Sequence, residues 1–434
     1  MEIIRYSDAD FEARVAVFGQ RAGFDPGLQQ AVTQILARVR RRGDAALVEY
    51  ARQFDQVELS PATFAVTAGE IEAAARALSP ALRKAVRTAS RQVRDYAERQ
   101  RPASWVCVPR RGVQTGERFV PLSRIGAYVP GGTAPLVSTA LHTLTLARVA
   151  GVREIVMVTP PGRDGVVHPA LLYAARVAGA TEVYRLGGVY AIGALAFGTQ
   201  SVRKVEKIVG PGNAYVTEAK RQVHGHVGLD MLAGPSEIMI IADSSADPAF
   251  VAADMLSQAE HGSGREQALL ATTAFGLIPA VVEELKRQSA TLSRSDTVRR
   301  VLAKGVFLVH VRSLEQAAEL ANRYAPEHLE IMTDRPERVA RRVTAAGAIF
   351  LGPWTPEPVG DFVAGPSHVL PTGGSAHFFS GLTVEQFYRR TSVVRYNRTA
   401  LLRELPHIEE FARAEGLDAH GRSAALRRRA PKSA

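Results

Sequence analysis

The stretch Ser257-Gln258-Ala259-Glu260-His261-Gly262 carries two side chains able to ligate a metal, three positions apart. Positions i and i+3 share one face of a helix, so Gln258 and His261 can reach a single ion. Three later segments hold further groups of this kind: Ala325-Pro326-Glu327-His328-Leu329-Glu330, Gly360-Asp361-Phe362 and Glu415-Gly416-Leu417-Asp418-Ala419-His420. A neutral amide oxygen is a poor zinc ligand by itself, so Gln258 needs charged company. Asp361 can supply it, and His420 would complete a nitrogen and oxygen set. A histidine near a helix end also reads as a purely structural residue. Position 265 is Arg265, so the HExxH spacing of zincin hydrolases is missing. Glu327 and His328 set a carboxylate beside an imidazole at an expected helix C-terminus. There they could act as acid and base, or simply cap the helix.

Gly210-Pro211-Gly212-Asn213, ahead of a helix opening at Tyr215, could cradle a phosphate on free backbone N–H groups. An ordinary strand-to-helix turn has the same look. The dinucleotide fingerprint GxGxxG is absent, so any nicotinamide cofactor would be held in a non-standard way.

These residues need a scaffold, and hydrophobic periodicity supplies its outline. Val32, Ile35, Leu36, Val39, Ala46 and Leu47 recur at helical spacing. Arg42-Gly43-Asp44 divides that run into two helices, with Gly43 ending one and Asp44 capping the next. Thr67 and Glu70 have capping-box spacing ahead of a further helical run. Phe119 to Gly132 reads as a strand pair entering a Gly-Gly turn. From there strands and helices alternate: strands at 154–159, 182–186, 207–209, 237–242, 267–272, 305–311 and 349–351, with helices between them. That alternation predicts βαβ units and parallel sheets. Three glycine-bearing loops fall at strand C-termini, where open α/β sheets bind ligands. Pro353, Pro356, Pro358 and Gly360 predict an extended loop that continues to Gly374. Residues 384–426 read as mostly helical, with an extended stretch at Thr391 to Tyr396.

The 434 residues allow several domains, and a 46% hydrophobic and 22% charged composition is that of an ordinary globular chain. The single cysteine, Cys107, excludes an internal disulfide and any multi-cysteine zinc site. It fits a reducing, cytoplasmic setting. The N-terminus lacks signal-peptide character, and no apolar run approaches the ~18 residues of a membrane span. A net charge of +11 invites a nucleic-acid reading. The arginines are scattered over helical faces, however, and only Arg427-Arg428-Arg429 forms a tight run. We therefore expect neither a nucleic-acid nor a membrane partner.

Taken together, the motifs resemble the histidinol dehydrogenase family over nearly the whole chain. The resemblance rests on Arg42-Gly43-Asp44-Ala45-Ala46, Tyr128-Val129-Pro130-Gly131-Gly132, Leu195-Ala196-Phe197-Gly198-Thr199 and residues 210–220. It extends through residues 232–237, 257–261, 325–330 and 368–373 to the terminal Glu415–His420 segment. The resemblance implies oxidation of L-histidinol to L-histidine through histidinaldehyde, with one Zn2+ per subunit and NAD. It implies an α/β fold of two Rossmann-like parallel-sheet domains with small N- and C-terminal appendages, in an intertwined homodimer. The divisions expected are an arm at 1–24, a metal and acid/base domain of 25–127 plus 237–378, an NAD-side domain at 128–236, and a C-terminal helical segment at 379–434 that reaches the partner's site. By the same resemblance Gln258, His261, Asp361 and His420 are the zinc ligands, and Glu327 and His328 are the acid/base pair. Ser236, His368 and Glu415 join the ligands and His328 around the substrate, while Tyr128, Tyr190 and Asn213 meet the cofactor. Two departures stand out: Tyr190 replaces a usual Gln, and Phe362 replaces a usual Tyr. They leave open a paralogue acting on another small polar alcohol, such as a sulfopropanediol.

Overall fold

The structure, a computed structural model, describes residues 1–18, 26–131 and 135–429. Gly132 of the glycine turn, residues 19–24 of the expected arm and the tail beyond 429 lie outside the described residues. The chain packs as two units. One comprises Met1–Gln100 and Leu122–Phe387; the other comprises Arg101–Pro121 and the chain from Tyr388 onward.

The first unit holds two all-parallel sheets. One runs, edge to edge, Glu182–Tyr184, Glu154–Val158, Arg124–Tyr128, Lys207–Val209, Gly228–Leu229. Counted along the chain, that order is 3-2-1-4-5, the order of a Rossmann half. The other sheet runs Glu2–Arg5, Val306–His310, Gln267–Thr272, Glu237–Ala242, His328–Met332, Ala348–Leu351. With the N-terminal edge strand set aside, it repeats the same order. Buried strands such as Glu237–Ala242 are apolar almost throughout because helices cover both faces. Ile238 and Ile240 enter one core, while Met239 and Ile241 enter the core on the opposite face.

Local chemistry explains where expectation and structure part. Residues 1–18 are integrated rather than a loose arm. Glu2–Arg5 pairs with Phe307–His310, and Phe11, Val15 and Phe18 pack in the core of that sheet. Val32 through Phe64 share a core with the five-stranded sheet, not with the later strands. Asp44 does not cap its helix. Its carboxylate accepts from Ser201 N–H at 3.2 Å and from the Ser201 hydroxyl at 2.5 Å, and side-chain-less Gly43 occupies the cap position. The Thr67–Glu70 capping box does form, with Thr67 N–H donating to Glu70 Oε2 at 2.8 Å. The segments expected to pair within Phe119–Tyr128 enter different sheets. Val113–Pro121 lies in the second unit, whereas Arg124–Tyr128 is central in the five-stranded sheet.

The second unit has an antiparallel sheet with Val113–Pro121 between Trp105–Arg110 and Tyr388–Tyr396, followed by helices Arg398–Ala414 and Asp418–Ala425. Every residue of Trp105–Arg110 is exposed. Among the described residues no helix is long and apolar enough to cross a membrane.

Arg124 locks the starts of three strands of the five-stranded sheet. It is buried, with Nη1 donating to Glu154 at 2.6 Å and to Glu182 at 2.5 Å, and Nη2 to Glu182 at 2.8 Å. The guanidinium holds the Glu182 carboxyl down at about 2, from an ordinary 4.5. A depressed carboxyl adds stability above its unfolded pKa, and that stability is lost as pH falls through the folded value. Glu182→Gln should therefore lower stability at pH 7 by about 2 kcal/mol, allowing for Glu182's partial exposure. It should also flatten the acid limb between pH 4.5 and about 2 in urea titrations.

Candidate active site and metal centre

Two central strands begin side by side at one edge of the six-stranded sheet, with His328 in register with Ile238. Helix Pro248–Ala259 runs back against these strands, so its last turn, bearing Gln258 and then His261, arrives at the same edge. Functional groups therefore gather here at the strand N-termini, opposite to the usual ligand edge of such sheets. The helix Leu314–Tyr324 stops at Ala325, whose φ of 49° is left-handed. Glu327 then bridges to the strand, and His328 opens it; neither residue caps the helix. Asp361 sits in a short helix, Glu357–Phe362, where a loop was expected. Pro358 is tolerated there because a first-turn residue has no intrahelical N–H bond to lose.

His328 is the hub. Its Nδ1 lies 3.1 Å from the Glu237 carbonyl. A carbonyl only accepts, so Nδ1 carries the proton and the neutral ring presents a lone pair at Nε2. That atom lies 3.8 Å from Glu357 Oε1 and 3.8 Å from Asp361 Oδ1. One donor atom from each of His328, Glu357 and Asp361 falls within 4.8 Å of the others. Asp361 Oδ1 also lies 3.5 Å from His368 Nδ1. Glu327 takes the Glu237 N–H at 3.0 Å, and Glu357 takes the Ser257 hydroxyl at 3.0 Å.

Burial sets the protonation states. Desolvation pulls the His328 imidazole down to about 4, and neighbouring His261 and His368 disfavour its cation further. Desolvation, followed by nearby carboxylates, pushes Glu327 well above the carboxylate range. Glu357 rises for the same two reasons, with Asp361 its principal neighbour. Burial works against ionising Asp361 too, yet His368 and His328 hold its carboxyl low. Burial raises both Asp254 and Glu330, just behind; their contact raises Glu330 further and works the other way on Asp254. Among the described residues no Lys or Arg forms an ion pair with Glu327, Glu357 or Asp361. Gln258 is fully buried with neither amide atom hydrogen-bonded, and Glu357 Oε1 and His328 Nε2 are likewise without partners. Buried polar atoms are seldom left so. This cluster of oxygen and nitrogen donors, rich in carboxylate and lacking a cation, fits a divalent metal.

The cofactor-side candidates lie at the C-terminal edge of the five-stranded sheet. Gly210 has φ 108°, and a Cβ there would strike the Tyr128 carbonyl, so only glycine lets these two strand ends close. Gly210 is clamped through both backbone groups. Its N–H donates to Asp230 at 2.7 Å, and its carbonyl accepts from Lys220 Nζ at 2.9 Å. Asn213 caps the following helix through Val216 N–H at 3.1 Å. Tyr128 accepts the Gly188 N–H, whereas Tyr190 is 1% exposed. Helix Val137–Ala150 connects the two regions. Thr139 Oγ1 lies 3.1 Å from His368 Nε2, and His142 stacks on His368 with ring centroids 4.5 Å apart.

Of the sequence candidates, Gln258, Glu327, His328, Asp361 and His368 come together, and His261, exposed just past the helix end, is near enough to act on the charge of His328. Ser236 immediately precedes Glu237 and accepts the Gln267 N–H at 3.2 Å through its carbonyl. Glu415 and His420 are exposed at the end of the second unit. Phe362 is exposed beside Asp361. Glu357, Thr139 and His142 were missed. Glu357 hides in a proline-rich segment read as loop, and nothing in the helical run 137–150 distinguishes His142 from packing.

The family model for histidinol dehydrogenase matches residues 20–428. The histidinol dehydrogenase of Moorella thermoacetica is 49% identical over 401 residues, covering 92% of this chain and 94% of that protein. The Heliobacterium mobile enzyme is 46% identical, covering 93% and 94%. A crystal structure of histidinol dehydrogenase from Elizabethkingia anophelis superposes with a TM-score of 0.93 at 34% identity, covering 98% of each chain. With the buried acid–imidazole cluster in place and a match that spans almost its full length, this chain belongs to the histidinol dehydrogenase family.

Proposed function

We propose that the chain oxidises L-histidinol to L-histidine through histidinaldehyde, closing histidine biosynthesis in the cytoplasm, with one zinc ion per subunit and NAD used twice. The observation that carries this reading is the cluster around His328, with its buried carboxyls and unpartnered donor atoms, and no Lys or Arg ion pair to them among the described residues. It suits a cationic, imidazole-bearing amino alcohol. A sulfonated alcohol would bring a negative charge beside the ionised Asp361 and two further buried carboxyls, so the sulfopropanediol alternative is not favoured.

Gln258, His261 and Asp361 would hold the zinc, with His420 donated by a second copy of the chain. A zinc ion supplies Lewis-acid positioning of the substrate, and NAD supplies the hydride acceptor. His328, neutral and with its lone pair at Nε2, takes the carbinol proton as the first hydride leaves. Glu327 would serve as a base only in its ionised form, which a bound cation favours; it would then remove a proton from water adding to the aldehyde carbon, giving the hydrate whose second hydride passes to NAD. Ser236, His368 and Glu415 orient the substrate, His368 being held by Thr139. Tyr128 and Asn213 border the dinucleotide. The acid/base residues thus fall on the 237–378 half and the dinucleotide residues on 128–236.

A homodimer is supported by the second unit's surface. Val106, Val394 and Phe411 are 67%, 65% and 69% exposed, with Trp105, Val108 and Val393 exposed among them. So much open apolar area on one small sheet and its helix marks a contact surface.

Three outcomes test this reading. Zinc at about 100 times its Kd should stabilise the wild-type protein by about 2.7 kcal/mol in thermal melts, and Asp361→Asn should abolish the gain. An equal gain in the variant would remove Asp361 from the ligand set. Zinc-replete enzyme should reduce two NAD per L-histidinol consumed, and His328→Asn should bind histidinol normally while turning over at least ~100-fold more slowly. Unchanged turnover would rule out His328 as the base. His261→Asn and His420→Asn, each inactive alone, should regain about a quarter of wild-type activity after subunit exchange, since each hybrid dimer has one whole site. No recovery, with exchange verified by mass, would contradict a shared site.

A further inference from the structure

The loop at Gly187-Gly188, which follows the edge strand Glu182–Tyr184, is tied down by Tyr128 and by two groups that the reaction above does not use, Tyr190 and Asp55. Gly187 N–H donates to the Tyr190 hydroxyl oxygen at 3.1 Å. The same hydroxyl donates its proton to Asp55. Gly188, at a left-handed φ of 55°, donates its N–H to Tyr128 Oη at 3.3 Å. Tyr128 stands at the end of the central strand, so this loop is latched to the point where the strand order reverses.

Asp55 reaches Tyr190 only through irregular backbone. Ala51–Asp55 widens into a π-turn, and Gln56 beyond it has φ 59°, a left-handed conformation without glycine. π-turns inside helices recur at functional sites, and strained residues persist where the surroundings require them. Tyr190 packs near Tyr50, with ring centroids 6.2 Å apart, and is buried with its hydroxyl fully engaged. The direct cofactor contact expected of it from the sequence is therefore not available to that hydroxyl. Burial also raises the Asp55 carboxyl, so the pair carries a cost that packing alone does not explain.

We propose that Asp55 and Tyr190 are a positioning pair for the dinucleotide: they hold the Gly187-Gly188 backbone, and through it Tyr128, in the shape that receives NAD. This rests on the NAD-linked reading. Neither residue touches the reacting atoms, and neither belongs to the metal cluster.

The test is NADH binding by fluorescence, alongside steady-state kinetics and zinc content, for Tyr190→Phe, Asp55→Ala, Asp55→Asn and the Tyr190→Phe/Asp55→Ala double variant. Tyr190→Phe keeps the ring and should weaken NADH about fivefold, the scale of one hydrogen bond, with the NAD KM rising in step. Asp55→Ala should match it. Asp55→Asn, which keeps an acceptor, should stay within about twofold of wild type, and the double variant should be no worse than either single. Histidinol KM and zinc content should not move. Unchanged NADH affinity in both Tyr190→Phe and Asp55→Ala would overturn the proposal. So would equal losses of zinc, histidinol and NADH binding, which would mark a general packing role. A wild-type, zinc-loaded protein that binds no NADH would instead bring down the NAD-linked reading itself.

Discussion

Carboxyl groups from separate parts of the chain are buried around one imidazole, with no Lys or Arg among the described residues paired to them, and the surrounding fold keeps them there. Isolated buried carboxylates are costly, and such groups shift their pKa or find a cation. Here Asp361 stays ionised between His328 and His368, while Glu327 and Glu357 are driven toward their neutral forms. A divalent ion would reverse that balance and let more of them ionise. Folding and the loading of such an ion would therefore be coupled through the same few atoms.

Two sheets of one strand order carry their candidate residues at opposite edges. The five-stranded sheet offers loops at its strand C-termini, where Asp230 and Lys220 fix Gly210. The six-stranded sheet gathers its acids at its strand N-termini, where a returning helix delivers Gln258 and His261. Helix Val137–Ala150 starts near the former edge and reaches His368 beside the latter. The contacts of Thr139 and His142 with His368 tie the first turns of that helix to the acid cluster.

Much of this was legible from residues alone, where local rules decide. Helix Pro248–Ala259 and strands Glu237–Ala242 and Gln267–Thr272 follow from periodicity and flanking breakers, as does the Thr67–Glu70 cap. That Gln258, Glu327, His328, Asp361 and His368 lie near one another is legible only through several short motifs taken in order, because no single spacing specifies it. Glu357 stayed hidden: prolines flanking a six-residue helix look the same as prolines in a loop. Asp44 was misread because a residue suited to capping was engaged by Ser201, some 157 positions away. The sharing of a core between Val32–Phe64 and the five-stranded sheet is set by tertiary packing, which periodicity does not report.

The edge strand Glu2–Arg5 has a bearing on how the molecule is made. Its partner, Phe307–His310, lies roughly 300 residues downstream. At translation rates of about 5–20 residues per second, the first strand leaves the ribosome about 15–60 s before its partner exists. The five-stranded sheet, complete by Leu229, can form in the meantime. Within the first unit the half bearing the acid cluster is thus the later to close, and its waiting strand, Ile3 and Ile4 included, is a segment a nascent-chain chaperone would need to shield.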